Sequence, residues 1–220
     1  MSTQTAVYLE AIGHLPPGAT LIVPNVTWEH YEALLQDLTN RPGLHVSYDE
    51  GRLQVMSASD EHEEYKDSVS FIARVLSEEL GIPLETRGSA TWKLRTLRKG
   101  VEPDTCFYIA NAHRIIGRRT IDLDSDPPPD IVVEIDVTNE SLGKFSIYAA
   151  LGVPEIWRYD GAQVQMYDLT GETYVGVAES QFFPGLTCSM LLEFLQLCRA
   201  QGQTTALMAV RQRIRARGDR

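Results

Sequence analysis

The run Ile131-Val132-Val133-Glu134-Ile135 constrains the fold more than any other stretch of this chain. β-branched residues in succession favour extended backbone, and apolar residues on both odd and even positions mean that both faces are covered. Such a run is expected at the centre of a sheet, with other layers above and below it. Yet a carboxylate, Glu134, stands inside it, with Asp130 before it and Asp136 after it. Acids are depleted in strands and costly to bury without a partner. Further back, Val101-Glu102-Pro103-Asp104 repeats the theme: an acid enters a strand just after a proline. Acids that persist in such places are most simply explained by a hard cation held between them.

The rest of the chain supplies the covering layers. Thr27 reads as an N-cap, followed by a helix from about Trp28 to Leu38 with Tyr31, Leu34, Leu35 and Leu38 at helical spacing. His45 to Tyr48 and Arg52 to Met56, joined by Asp49-Glu50-Gly51, form a predicted β-hairpin with Leu53 and Val55 on one face. Ser59 and Asp60 start a long helix that runs to about Leu80 and stops at Gly81. Its apolar stripe is Tyr65, Val69, Ile72, Ala73, Leu76 and Leu80. Strand character returns at Leu84–Thr86, Thr91–Leu94 and Thr105–Ile109. The polar segment Asn111–Asp126, before three prolines, reads as a surface loop with room for a helical turn.

After the central strand, Thr138, Asn139 and Ser141 offer capping side chains to a helix from about Leu142 to Leu151, with Gly152 as its stop. Three further strands are expected at Glu155–Tyr159, Gln163–Tyr167 and Thr173–Val177, then a helix over about Ser189–Ala200. Strands with interspersed helices indicate an α/β (α+β) protein, a mixed sheet flanked by helices. No repeat or linker divides the chain, so residues 1–200 are expected to form one domain, with 201–220 as a basic tail extending from it.

Composition narrows the function. The net charge of −10 argues against a surface coated for nonspecific nucleic-acid binding. The charge is uneven, however: residues 199–220 hold six Arg against one Asp, leaving −15 on the remainder. Three cysteines at irregular spacing form neither a disulfide framework nor a zinc pattern and fit a reducing cytoplasm. No apolar run approaches a membrane span, and Met1–Glu10 lacks the features of a signal peptide. No Walker, dinucleotide, serine-hydrolase or zincin motif is present. His14, His30, His45 and His113 have no ligand spacing with one another.

If the strands carrying Asp104 and Glu134 are neighbours, both carboxylates can face one site suited to Mg²⁺ or Mn²⁺. The backbone carbonyl of Ile135 is a candidate further ligand. Lys144, early in the following helix, can reach back toward Glu134 to orient a water or stabilise developing charge. Asp136 shares a strand face with Glu134 and is either a third ligand or a partner for Lys144. Two acids, a lysine and a divalent ion are the minimal kit for phosphodiester hydrolysis. Each residue also has a plain structural reading: Asp104 as a turn residue, Glu134 in a salt bridge with Lys144 or an Arg, Lys144 as a solvated helix lysine. His62, among Glu61, Glu63 and Glu64 at a helix start, fits a surface capping feature favoured by the helix dipole.

The ordered set of Gly51-Arg52-Leu53-Gln54-Val55-Met56-Ser57 with His62, Glu102-Pro103-Asp104, Pro129 to Ile135, Gly143 to Tyr148, Gly152 to Trp157 and Phe183 to Leu186 resembles the Uma2-like endonucleases of the PD-(D/E)XK superfamily. The resemblance runs from about Thr27 to Leu195. It implies a restriction-endonuclease-like core, with Asp104 as the motif Asp and Glu134 as the motif Glu. The usual lysine two residues after that Glu is replaced by Asp136, and Lys144 matches a lysine moved to the next helix. It further implies that Glu63 or Glu64, near His62, adds to the site.

The leading expectation is therefore a cytoplasmic Mg²⁺- or Mn²⁺-dependent endonuclease acting on DNA, with no organic cofactor. The alternatives are a catalytically inactive module of the same fold that binds nucleic acid or protein, and a structural homodimer.

Overall fold

The computed structural model describes residues 3–38, 41–137 and 140–218. In chain order the elements are α1 (Thr3–Gly13), β1 (Thr20–Val23), α2 (Trp28–Leu38), β2 (Leu44–Asp49), β3 (Arg52–Ser57), α3 (Asp60–Leu80), β4 (Glu85–Thr86), β5 (Trp92–Leu94), β6 (Lys99–Val101), β7 (Thr105–Tyr108), α4 (Ala112–Ile115), β8 (Ile131–Ile135), a 3-10 turn (Leu142–Lys144) leading into α5 (Phe145–Leu151), β9 (Glu155–Tyr159), β10 (Val164–Thr170), β11 (Thr173–Val177), α6 (Cys188–Gln201) and α7 (Gln203–Gly218).

Two sheets form where the sequence suggests one. The first has the order β1-β3-β2-β6-β5 and is antiparallel throughout. The second has the order β11-β10-β9-β8-β7-β4. It is mixed, because β8 and β9 run parallel while the other pairs are antiparallel. The parallel pair needs a crossover, and the 3-10 turn and α5 supply it. β8 lies inside the second sheet with all five residues buried. Ile131, Val133 and Ile135 meet α3, α6 and α7 on one face, and Val132 packs with Ile147, Tyr148 and Ile156 on the other. A third cluster, around Tyr31, Tyr48, Leu53 and Val55, fills the space under the first sheet.

The chain passes from the first sheet to the second through Glu102-Pro103-Asp104, between the end of β6 and the start of β7. The Glu102 peptide N–H is bonded to the Val46 carbonyl at 3.0 Å, so it stays with β2. The Asp104 peptide N–H is bonded to the Val133 carbonyl at 3.2 Å, so it already belongs with β8. Proline between them fixes one backbone dihedral of this short crossing.

Helix ends follow the local signals in most places. The Ser59 hydroxyl accepts the His62 peptide N–H at 3.3 Å at the start of α3, and Gly81 closes the helix in the left-handed region (φ 67°). Thr27 caps α2 through the His30 N–H at 3.3 Å. Thr138 and Asn139, read as caps of the helix after β8, lie outside the described residues. Ser141 does not cap that helix. Its hydroxyl and its peptide N–H both bond Asp136, at 3.0 and 2.9 Å.

The described part of the basic segment after residue 201 does not project from the body. α7 lies across α3 and α6, with Ala206, Val210 and Ile214 buried in the same cluster as Ile72 and Leu76. Two of its arginines face acids of α3: Arg211 bonds Glu78 at 2.9 Å and Glu79 at 3.0 Å, and Arg215 bonds Glu79 at 2.7 Å; Arg213 faces Glu193 of α6 at 3.7 Å. Basic charge that looks free in the sequence is paired locally.

Candidate active site

The crossing between the sheets brings three layers to one point. In the β7–β8 register Thr105 faces Val133, so one step further Asp104 lies opposite Glu134. Asp104 is 1% exposed, and its Oδ2 accepts the Ile135 peptide N–H at 2.6 Å. The same Oδ2 lies 3.0 Å from His62 Nε2, and Oδ1 lies 3.5 Å from His45 Nδ1. His62 comes from the first turn of α3 and His45 from β2 of the other sheet. One carboxylate therefore touches both sheets and a helix.

Glu134 is also 1% exposed and shares its strand face with Val132. Lys144 Nζ donates to Glu134 Oε2 at 2.7 Å, and the Tyr148 hydroxyl donates to Oε1. Both donors come from the crossover that follows β8, one from the 3-10 turn and one from α5. They are four residues apart, the spacing that puts two side chains on one side of a helical turn.

Burial and charge act on these groups in opposite directions. Burial pushes the Asp104 carboxyl up, but His62, Lys144 and His45 more than offset it and hold it below the usual range. Burial also pushes Glu134 up, and there Lys144 offsets only part of the effect while Asp104 adds to it, so the carboxyl is raised. Burial lowers Lys144, but Glu134 and Asp104 outweigh it and keep the ammonium charged. The outcome is one acid firmly ionised beside one held nearer to protonation, a division typical of acid–base sites. His45 is pushed down to about 4 by burial, with Asp104 opposing, so its imidazole is neutral. For His62, burial lowers and Asp104 raises, and the net shift is upward.

The structure brings together Asp104, Glu134, Lys144 and His62. Ile135 joins them through its peptide N–H, donated to Asp104; the sequence had suggested its carbonyl. Asp136 borders the same small cleft, but Arg158 Nε and Ser141 take its carboxylate, and Lys144 bonds Glu134 instead. Glu63 stands at the edge, with Oε1 3.5 Å from His62 Nδ1 and Oε2 bonded to Lys66. Glu64 is set apart, its charge felt by Cys198 of α6. The reading of His62 as a surface cap is overturned. Its peptide N–H meets Ser59, but its ring is fully buried against Asp104.

Two participants, His45 and Tyr148, escaped the sequence reading, and a third, Glu102, was read only as part of the run leading to Asp104. His45 reaches the site only because the sheets meet at Asp104, and no spacing along the chain signals that. Tyr148 had a usable signal, four residues beyond Lys144, but reads equally as a core aromatic. Glu102 bonds the Val46 N–H at 2.8 Å and the Thr91 hydroxyl, anchoring the crossing on its first-sheet side.

Two clefts reach Lys144 from outside. One is lined by Gln54, Met56, Asp136, Glu140 and Ser141. The other, about 240 Å³, is lined by Ser47, Asp49, Arg52, Gln54 and Gly143. The β2–β3 hairpin and the loop before α5 thus form the two lips of the opening.

The residues present fit a divalent ion. Asp104 Oδ1 is buried without a hydrogen-bond donor, and each Glu134 oxygen keeps a lone pair beyond the bond it already accepts. A cation between them would satisfy what the protein alone leaves open.

The chain matches the Uma2 family, described as "Putative restriction endonuclease", over residues 28–201. This protein belongs to the Uma2 family. The Uma2 match spans α2 to α6 and includes Asp104, Glu134 and Lys144. By that description Uma2 is a nuclease family, and restriction-endonuclease-like proteins generally use divalent metals. Among solved structures, the chain is similar to "a putative nuclease belonging to DUF820" from Anabaena variabilis ATCC 29413. That match has 19% identity and a TM-score of 0.47, covering 68% of this chain and 90% of the other. No curated protein matches. Among the described residues no helix is long and apolar enough to cross a membrane.

Proposed function

We propose that this Uma2 protein is a divalent-metal-dependent endonuclease that hydrolyses DNA phosphodiester bonds. One observation carries the reading: the ammonium of Lys144 sits 2.7 Å from Glu134, beside Asp104, and Lys144 lines a cleft of about 240 Å³. The chain has an acid, Asp136, where a lysine two residues after the strand Glu would serve. The fold restores the missing cation from the next turn.

Asp104 and Glu134 would hold the ion, Mg²⁺ or Mn²⁺, which when bound polarises the phosphoryl oxygen and lowers the pKa of a water. The protein's own groups do the rest. Lys144, held charged by Glu134, offers its remaining protons to a phosphate oxygen and stabilises charge as it develops. The Tyr148 hydroxyl fixes the Glu134 carboxylate from its other side, so that carboxylate keeps one orientation through the reaction. The Ile135 N–H does the same for Asp104. Arg158 binds Asp136 and keeps its charge from repelling an incoming phosphate. Gln54 and Arg52, bonded to each other at 3.1 Å on the hairpin lip, lie where a nucleic-acid strand would pass.

Supercoiled plasmid is the test substrate. Nicking or linearisation with Mg²⁺ or Mn²⁺, absent with chelator, is expected for the native protein. Glu134→Gln is expected to lose it by at least about two orders of magnitude while its circular dichroism is unchanged. Cleavage that persists in Glu134→Gln, or a native protein inert with both ions, overturns the reading.

A further inference from the structure

We propose that His45, His62 and Glu63, oriented by Asp104, form a separate cation site that takes a borderline transition-metal ion, of the Mn²⁺, Co²⁺ or Zn²⁺ class, in preference to Mg²⁺. One donor atom from each of the three residues lies within 4.8 Å of the other two. The donors come from two elements: His45 from β2, and His62 with Glu63 from the first turn of α3. The site borders the Asp104–Glu134 pair, but it does not require that the protein cut DNA.

The second observation is the state of the imidazoles. His62 is 0% exposed and His45 4%. Nδ1 of His45 and both ring nitrogens of His62 are buried without a hydrogen-bond partner. The 3.0 Å approach of His62 Nε2 to Asp104 is close but misaligned for a hydrogen bond. A histidine retained for structure alone normally satisfies its buried nitrogens, since each orphan is costly. Two neighbouring imidazoles, with ring centres 5.5 Å apart, that both leave nitrogens open are arranged as ligands are.

The surrounding charges fit the same role. Lys66 occupies one Glu63 oxygen, and the other faces His62 Nδ1 at 3.5 Å. Asp104 approaches both histidines from behind, at 3.0 and 3.5 Å. A carboxylate charge behind a ligating imidazole raises its basicity, which makes Asp104 a positioning residue for this site. Two nitrogens and one carboxylate oxygen suit Mn²⁺, Co²⁺ or Zn²⁺, whereas Mg²⁺ prefers an all-oxygen shell that retains several waters.

The full chain, freed of metal with chelator, is titrated with Co²⁺, whose visible absorption reports nitrogen ligation, and separately with Mg²⁺. Native protein is expected to develop the Co²⁺ band and to bind Co²⁺ at least about ten-fold more tightly than Mg²⁺. His45→Ala is expected to weaken Co²⁺ by about ten-fold or more and Mg²⁺ by clearly less, since His45 also neighbours Asp104. His45→Asn serves if the alanine variant does not fold by circular dichroism. Glu134→Gln is expected to show the reverse pattern. Unchanged Co²⁺ affinity in the folded His45 variant, or equal losses for the two ions, overturns the proposal. A Co²⁺ site that depends on His45, in a protein that leaves plasmid intact with Mg²⁺ or Mn²⁺, retires the nuclease reading and keeps this one. Cleavage that depends on Glu134 with no Co²⁺ band does the opposite.

Discussion

Lys144 and Glu134 form a buried pair in which each charge is costly without the other. Lys144→Met leaves Glu134 in a low-dielectric site with only Tyr148 to meet it. Breaking such a pair from one side costs roughly 3–5 kcal/mol, and replacing both charges costs far less. Urea denaturation at neutral pH is expected to show that loss in Lys144→Met and its partial recovery in Lys144→Met/Glu134→Gln. Equal stability of the single and double variants would contradict the pairing. Glu155 provides a titration away from the site. Its carboxylate is fully buried, bonded to the Trp157 ring N–H and the Gln181 N–H at 2.9 Å. Burial raises it above 4.5, with those bonds and Ser180 acting in opposition. A carboxyl raised on folding binds its proton more tightly in the native state. Its contribution is therefore fully present below the unfolded value and is lost as pH rises from 4.5 through the folded value. The melting-temperature advantage of native protein over Glu155→Gln is expected to shrink between pH 4.5 and pH 8; a constant gap would contradict this. At this scale the sequence was legible where chemistry is rare. An acid within Ile131–Ile135 could not be ignored. His45 could be, because its meaning lies in a contact with Asp104 and not in its neighbours along the chain.

Elements with strong local signals were readable to within a residue or two. α2 and α3 carry caps and apolar stripes, and β8 carries unbroken β-branched residues, so local preference and final packing agree there. β6 carried no such signal. Lys99-Gly100-Val101 is short, and glycine weakens a strand pattern. Its place is fixed by tertiary packing, because Gly100 lies under the Tyr31 ring. A Cβ there would meet the Tyr31 hydroxyl at 2.1 Å and ring carbons at 2.8 and 3.0 Å. Tyr31 cannot yield easily, being fully buried and stacked on Tyr48 at 4.7 Å. Gly100→Ala is expected to cost about 1–3 kcal/mol in chemical denaturation through overpacking. Tyr31→Phe, which removes a hydroxyl that has no partner, is expected to be nearly neutral alone and to recover part of that loss in combination. Additive effects of the two changes would show that the ring is not the obstacle. α1 and β1 were equally silent in the sequence, since their burial is partial and depends on α2 and β3 being in place.

For the whole molecule, charge counted along the chain misleads about surface. The excess of arginine after residue 199 suggests a free basic arm, yet Arg199, Arg211 and Arg215 all meet acids of α3. What holds α7 in place is apolar: Val210 is fully buried and Ile214 is 7% exposed. Each such side chain contributes about 1.5–3 kcal/mol on burial, and exposed ion pairs contribute far less. Truncation after Gly202 is therefore expected to lower stability by at least about 3 kcal/mol and to reduce the urea m-value, as less surface remains to be exposed. A truncated chain with the native midpoint and slope would show that α7 is an appendage after all. The two-sheet division was likewise invisible beforehand, because pairing partners such as β2 and β6 lie far apart in sequence.

Only Glu102, Pro103 and Asp104 separate the last paired residue of β6 from the first of β7. So brief a tether, stiffened by proline, cannot lengthen. Asp104 opens the second sheet and His45 lies in the first, so any change of angle between the sheets would change the 3.5 Å that separates them. A cation gripped by both would act as a rivet, tying two sheets together with one bond set, and its departure would undo that tie.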